Sequence, residues 1–167
     1  MSAAVNDQGL EAWRTFVRAH AAALKRLEAE MQAEVGLSLA CYDVLLHLAR
    51  APRRKLRMQE LADRVLLTQS GVSRLVDRLE AAGLVQREAS SSDRRVTYAG
   101  LTEAGRRVMR AAARVHLRGV GEHFVQHLTP DELDVLQGAL GRVLQAADTP
   151  AVSGGRSPQA PPRAARR

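Results

Sequence analysis

Ser70-Gly71-Val72-Ser73-Arg74-Leu75-Val76-Asp77-Arg78-Leu79-Glu80-Ala81-Ala82-Gly83, followed by Leu84-Val85-Gln86-Arg87-Glu88, reads as a helix that ends on a glycine and runs directly into a strand. Thr68 is placed to cap the helix, and Val72, Leu75, Val76 and Leu79 recur at spacings of three and four, which puts them on one buried face. Gln69, Ser70, Ser73, Arg74 and Asp77 point elsewhere. Gly83 fits the left-handed position after the last turn. Val96-Thr97-Tyr98-Ala99 forms a second strand, joined to the first by the polar segment Ala89-Ser90-Ser91-Ser92-Asp93-Arg94-Arg95, so the pair is a β-hairpin.

Working upstream, Leu61, Ala62, Val65 and Leu66 make a short helix, entered through the basic connector Arg53-Arg54-Lys55-Leu56-Arg57, which has room for one short strand. Before it, Ser38 caps a helix with Leu39, Val44, Leu45, Leu48 and Ala49 on its apolar face, ended by Ala51-Pro52. Two short helices, the second polar on its outer face and followed by a hairpin, make a winged helix-turn-helix, whose second helix can enter the major groove of duplex DNA. On that helix Thr68, Gln69, Ser70, Ser73, Arg74, Asp77 and Arg78 are the candidate DNA-facing residues. At the hairpin tip they are Ser91, Asp93, Arg94 and Arg95, where a guanidinium can enter the narrow minor groove.

Outside this lobe the chain is helical. Leu10, Trp13, Val17, His20, Leu24, Leu27 and Met31 form one stripe of a long first helix that Gly36 interrupts. Thr102 opens a fifth helix with Val108, Ala111, Ala112 and Val115. Thr129-Pro130-Asp131-Glu132 combines a cap, a proline at the first position and a glutamate three residues on, which starts a sixth helix with Leu133, Leu136, Leu140, Val143 and Ala147 on one stripe. The apolar stripes of helices one, five and six exceed what one chain of this size can bury, which predicts a homodimer with Leu10, Trp13, Val17, Leu133, Leu136 and Leu140 at its interface. The fold class is therefore mainly α with a small β-hairpin wing. Residues 1–147 form one domain, with 8–35 and 102–147 as dimerisation helices and 38–101 as the winged lobe. Residues 148–167, rich in Pro, Gly, Ser, Ala and Arg, read as a disordered basic tail.

Charge supports this division. The 167 residues carry a formal +7, but residues 53–100 alone hold ten bases against six acids, and residues 1–52 and 101–147 are close to neutral. Positive charge concentrated on one segment is the footprint of nucleic-acid binding. The only aromatic residues are Trp13, Phe16, Tyr42, Tyr98 and Phe124, too few for the stacking platform that single strands require, so duplex DNA is favoured.

These residues closely resemble the MarR family of bacterial transcription regulators. The matching text is Met58-Gln59-Glu60-Leu61-Ala62, the run from Ser70 to Arg87, Asp93-Arg94-Arg95 and Leu101-Thr102-Glu103-Ala104-Gly105. The resemblance implies a triangular homodimer whose two winged lobes read a pseudo-palindromic operator. It also implies a repressor's role more often than an activator's, and a pocket between dimer region and lobe for a small organic effector such as an aromatic acid or metabolite. Trp13, His20 and Tyr42 are the candidate pocket residues.

Other chemistries are weakly supported. No phosphate loop, nucleophile elbow or metal-hydrolase motif occurs, so no catalytic residue and no cofactor is expected. His116, His123 and His127 are expected near one face of helix five, and His123 with His127 has the i, i+4 spacing of metal ligands. With only Glu122 beside them, solvent-facing or core histidines are the better reading, and no metal is expected. Cys41, the single cysteine, lies near a helix N-terminus but reads as a small buried hydrophobe. It excludes an intrachain disulfide, and with no signal peptide or membrane span legible the expected location is the cytoplasm. The remaining alternative is a nucleoid-compacting protein, which would bind DNA with little sequence preference.

Overall fold

The computed structural model describes residues 6–65, 68–89 and 96–148. The chain divides into two compact units, Met1–His127 and Leu128–Arg167.

In the first unit, helix α1 (Asp7–Val35) starts at Asn6, whose side chain accepts from the Gly9 N–H at 2.7 Å, and stops at Gly36, which takes φ +64°. Only glycine reaches that conformation without a steric penalty, so the corner is set there. Helix α2 (Leu39–Arg50) is capped twice: Ser38 Oγ accepts from Cys41 N–H at 3.2 Å, and Glu28 of α1 accepts from Leu39 N–H at 2.8 Å. A 3-10 turn over 52–54 follows, with Arg53 and Arg54 both in the left-handed region at φ +54° and +55°, and leads into strand β1 (Lys55–Arg57). Helix α3 (Met58–Arg64), helix α4 (Gln69–Ala81), strands β2 (Val85–Ala89) and β3 (Thr97–Leu101) and helix α5 (Glu103–His123) complete the order.

The strands form one antiparallel sheet in the order β1-β3-β2, with Leu56 opposite Ala99 and Arg87 opposite Ala99 on the other side. The connector strand expected before the third helix is thus present and pairs with the wing. Pairing with β2, where Val85 lies opposite Leu101, also carries β3 two residues beyond the strand legible in the sequence. The third helix ends earlier than its apolar spacing suggested: Val65 is buried, but as the residue that closes α3 rather than as part of it.

Met31, Tyr42, Val44, Leu45, Leu48, Leu56, Leu61, Val72, Val76, Leu79, Val85, Ala99, Ala112 and Val115 make one continuous core, so α2, α3, α4 and the sheet are held by the C-terminal part of α1 and the middle of α5. Leu27 and Met31 are the buried members of the α1 stripe, and only Met31 belongs to that core. Leu10, Val17 and Leu24 remain exposed, and Trp13 is 62% exposed. Helix α5 ends at His123 and is followed by a 3-10 turn over 125–127, so His127 is not on its face as expected from i, i+4 spacing. The chain turns at Phe124, whose backbone at φ −139°, ψ −63° cannot continue the helix.

In the second unit, helix α6 (Pro130–Asp148) begins with the reciprocal cap read from the sequence. Thr129 Oγ1 accepts from Glu132 N–H at 3.3 Å, and Glu132 Oε2 accepts from Thr129 N–H at 2.9 Å. Leu133, Leu136 and Leu140 share one face of α6 by their spacing, and Val143 and Leu144 are exposed. Among the described residues no helix is long and apolar enough to cross a membrane.

Candidate nucleic-acid interface

Helix α4 is fixed on one side and open on the other. Val72 and Val76 are fully buried, with Leu75 and Leu79 beside them, and Thr68 Oγ1 caps the helix by accepting from Gly71 N–H at 3.2 Å. The opposite face presents Ser70, Arg74, Asp77 and Arg78 to solvent, with Ser73 half-buried. Thr68 and Ser70 hydroxyls lie 3.2 Å apart at its N-terminal end, where free backbone N–H groups and the helix dipole favour an anionic oxygen. Ser91, Asp93, Arg94, Arg95 and the Gln69 side chain lie outside the described residues.

Asp77 does more than face outward. Its carboxylate holds the Arg87 guanidinium of β2 at 2.6 Å, while Glu80 takes Arg87 Nη1 at 2.7 Å and the Arg87 backbone N–H at 2.9 Å. Arg87 Nη2 also donates to the Ser73 carbonyl at 3.3 Å. Burial pulls the Arg87 guanidinium down, and the hydrogen bonds and charges of Asp77 and Glu80 more than offset this, holding it above its ordinary range. The result is a clasp between the exposed helix and the first wing strand. The sequence does not announce it, because the pairing depends on the turn at Gly83 folding β2 back beside α4.

A second polar chain crosses the sheet. Lys55 Nζ reaches Glu88 at 3.2 Å and lies 5.4 Å from the Tyr98 ring centroid, while Arg57 Nε donates to the Tyr98 hydroxyl at 3.3 Å. Hydrogen bonds from Lys55 and then Gln86 hold the Glu88 carboxyl below the usual carboxylate range. Between this chain and α4 lies a cleft of about 390 Å³ lined by Arg57, Met58, Gln59, Ser73, Arg87, Val96 and Thr97. Arg57 and Gln59 are thus additional candidates for the same surface. No periodicity marks them, since both sit where strand β1 turns into α3.

The expected grouping of Trp13, His20 and Tyr42 is not formed within the chain. Trp13 and His20 are exposed on the first half of α1, with Phe16 between them, its ring centroid 6.1 Å from Trp13 and 6.2 Å from His20. Tyr42 is buried instead, with its ring 5.0 Å from that of His116 on α5. Burial lowers the His116 imidazole below its ordinary value, with the Asp43 charge opposing, and burial also raises the Tyr42 phenol. A different cavity, about 400 Å³, opens between the α1–α2 corner, the end of α4 and α5, with Gln32, Val35, Leu37, Cys41, Leu79 and Val108 among its lining. Arg78 also lines it, so it touches the helix whose outer face is described above. Cys41 is buried there and in the core, as a small apolar residue would be.

The profile of the MarR family matches residues 35–96, from the end of α1 to the start of β3. Among characterised proteins, the HTH-type transcriptional regulator MhqR of Bacillus subtilis (strain 168) is 31% identical over 104 residues, 62% of this chain and 68% of its own length. Among solved structures, AbsC, a MarR family transcriptional regulator from Streptomyces coelicolor, is 33% identical with a TM-score of 0.80, over 87% of this chain and 98% of its own. Sco3205, a MarR family transcriptional regulator from the same organism solved in complex with DNA, is 33% identical with a TM-score of 0.81, over 91% of this chain and 95% of its own.

Proposed function

This chain belongs to the MarR family, and from that premise we propose that it is a sequence-specific DNA-binding transcription regulator, a homodimer that represses from a pseudo-palindromic operator and is released by a small organic ligand. The observation that carries the DNA reading is the placement of α4. It is locked to the core by one face and to the wing by the Arg87 clasp, and it leaves Ser70, Arg74 and Arg78 outward on a lobe that closely matches a relative solved with DNA. A rigidly mounted helix with a guanidinium and hydroxyls outward is what major-groove readout requires. In this reading Arg74 contacts base edges, and Asp77 works mainly by positioning Arg87.

Two further observations support the finer parts. The exposed Leu10, Trp13, Val17 and Leu24 share one face of α1 that a second copy can cover. The 400 Å³ cavity falls in the size range of small-molecule sites and is lined by both the α1–α2 corner and the inner side of α4. An occupant there presses on Arg78 and Leu79, and it shifts the DNA-competent population only insofar as it binds the two lobe positions unequally.

The test is selection of a duplex from a random pool, followed by anisotropy titration of that duplex and a scrambled one at fixed salt. A regulator prefers the selected duplex by about 10³-fold or more. Equal affinity for both would replace this reading with a nucleoid-type protein. Small aromatic acids that raise the melting temperature and release the selected duplex would support the effector assignment; a ligand that stabilises the protein without affecting DNA binding would contradict it.

A further inference from the structure

We propose that Glu30, Glu122 and His123 form a binding site for a zinc-class divalent cation that staples the C-terminal part of α1 to the end of α5. The three come from two helices that pack along each other. Their ligand atoms, one carboxylate oxygen from each glutamate and one imidazole nitrogen, all lie within 4.8 Å of one another. On α5, Gly119, Glu122 and His123 share a face by their i, i+3 and i, i+4 spacing, and that face meets Glu30.

Glycine at 119 makes the meeting possible. A Cβ there would lie 2.6 Å from Leu27 Cδ2 and 2.8 Å from Glu30 Oε2, so with any larger residue these side chains would have to shift from their present positions. Glu30 Oε1 contacts His123 Nε2, whereas Glu30 Oε2 is buried and has no protein hydrogen-bond partner. A carboxylate oxygen in that position gains most from a cation. Glu122 is exposed and ties only loosely to Arg118 at 3.9 Å, while Arg118 is engaged by Glu34. Glu122 is therefore available to turn inward.

The donor set selects the metal. One imidazole nitrogen with two carboxylates suits zinc, whereas calcium and magnesium favour all-oxygen shells. Zinc bonds of about 2.0–2.2 Å in tetrahedral geometry put neighbouring ligand atoms about 3.3 Å apart, a spacing the cluster reaches by rotating the exposed Glu122 side chain, with water as the fourth ligand. His123 and His127 have ligand spacing in the sequence, where no metal is expected from them, and His127 lies beyond the helix; the partner that completes the set is Glu30, 93 residues earlier.

Cation binding at these residues is independent of DNA binding and is measured on the full chain without DNA. Zinc chloride is titrated against wild-type protein in competition with a chromophoric chelator, and melting temperatures are measured with and without metal. The expected result is one zinc per chain, no comparable binding of magnesium, and a rise of about 5–10 °C at free zinc a hundredfold above Kd. Glu122→Gln and His123→Gln each weaken binding tenfold or more. His47→Gln, which removes the other histidine–carboxylate pair among the described residues, with Asp43 at 3.6 Å, leaves it unchanged. Because Glu122 is exposed, its variant folds, and a purely structural Glu30–His123 pair predicts that it changes nothing. Zinc binding that survives both Glu122→Gln and His123→Gln, binding lost only in His47→Gln, or no binding by wild type overturns the proposal.

Discussion

Replacing Arg87 with alanine removes the clasp between α4 and β2 while leaving every apolar core residue in place. Three contacts are lost: the guanidinium to Asp77 at 2.6 Å, to Glu80 at 2.7 Å and to the Ser73 carbonyl at 3.3 Å. The Arg87 side chain is 25% exposed and its partners are 62% and 40% exposed, so solvent screening reduces each pair well below a buried ion pair. Taking about 0.5 kcal/mol for the Asp77 pair, about 1 for the better-shielded Glu80 pair and about 0.5 for the long bond to Ser73 gives a loss of about 2 kcal/mol. For a chain of this length that corresponds to a melting temperature lower by about 4–8 °C. Urea unfolding followed by circular dichroism, at one protein concentration because association contributes to stability, reads the loss as a lower midpoint with an unchanged slope. Arg87→Lys retains one acidic partner and recovers about half the loss, since an ammonium cannot serve both carboxylates and the carbonyl in one plane. A double-mutant cycle with Glu80→Gln gives a coupling energy of about 1 kcal/mol. A loss below about 0.5 kcal/mol for Arg87→Ala, or no coupling to Glu80, would mean that apolar packing alone fixes α4 against the wing.

Gly105→Ala is expected to destabilise by about 3 kcal/mol, because the new Cβ overlaps the Leu84 carbonyl oxygen and lies 2.8 Å from Leu101 Cδ1, and backbone cannot yield cheaply. Gly121→Ala on the same helix has open space around it and should stabilise by about 0.5–1 kcal/mol; chemical denaturation of both separates the steric cost from helix propensity. Val17→Glu, on the exposed strip of α1, should shift sedimentation at micromolar concentration towards monomer with helix content retained, and an unchanged dimer would place the interface elsewhere. Burial depresses the folded His116 below its ordinary 6.5, so the unfolded chain binds the proton more tightly, and stability is full above that value and declines as pH falls through it towards the folded value. The melting temperature should therefore be flat above about pH 7 and fall below about pH 6.5, and His116→Gln should flatten that fall; an unchanged profile in the variant would assign the pH dependence to other groups.

The winged architecture was legible because its signals are local. Thr68, the Val72–Leu79 spacing and Gly83 each act within one turn of helix, and the α6 cap from Thr129 to Glu132 is complete within four residues. Interactions that join distant segments were not legible. Arg87 reads as an outward strand residue until Gly83 brings β2 beside Asp77 and Glu80, and Glu30 has no visible relation to His123 until α1 and α5 pack. The α1 stripe shows the same limit from the other side. Periodicity gave one continuous seam from Leu10 to Met31, but the chain itself covers only Leu27 and Met31. Within the chain Trp13 and His20 lie apart from Tyr42 for that reason: helical spacing specifies a shared face, whereas the third dimension decides which part of the face meets α2 and α5.

Base readout by the outer face of α4 stands or falls with Arg74→Ala. Wild type and variant are titrated against the selected duplex and a scrambled one across a salt series. The expected loss is about 1–3 kcal/mol on the selected duplex, roughly 5- to 160-fold, and much smaller on the scrambled one, so that the specificity ratio shrinks. Equal losses on both duplexes, with the salt slope reduced by about one, would contradict base readout by this residue and make Arg74 a phosphate contact. Unchanged affinity for both would contradict the docking of α4 itself.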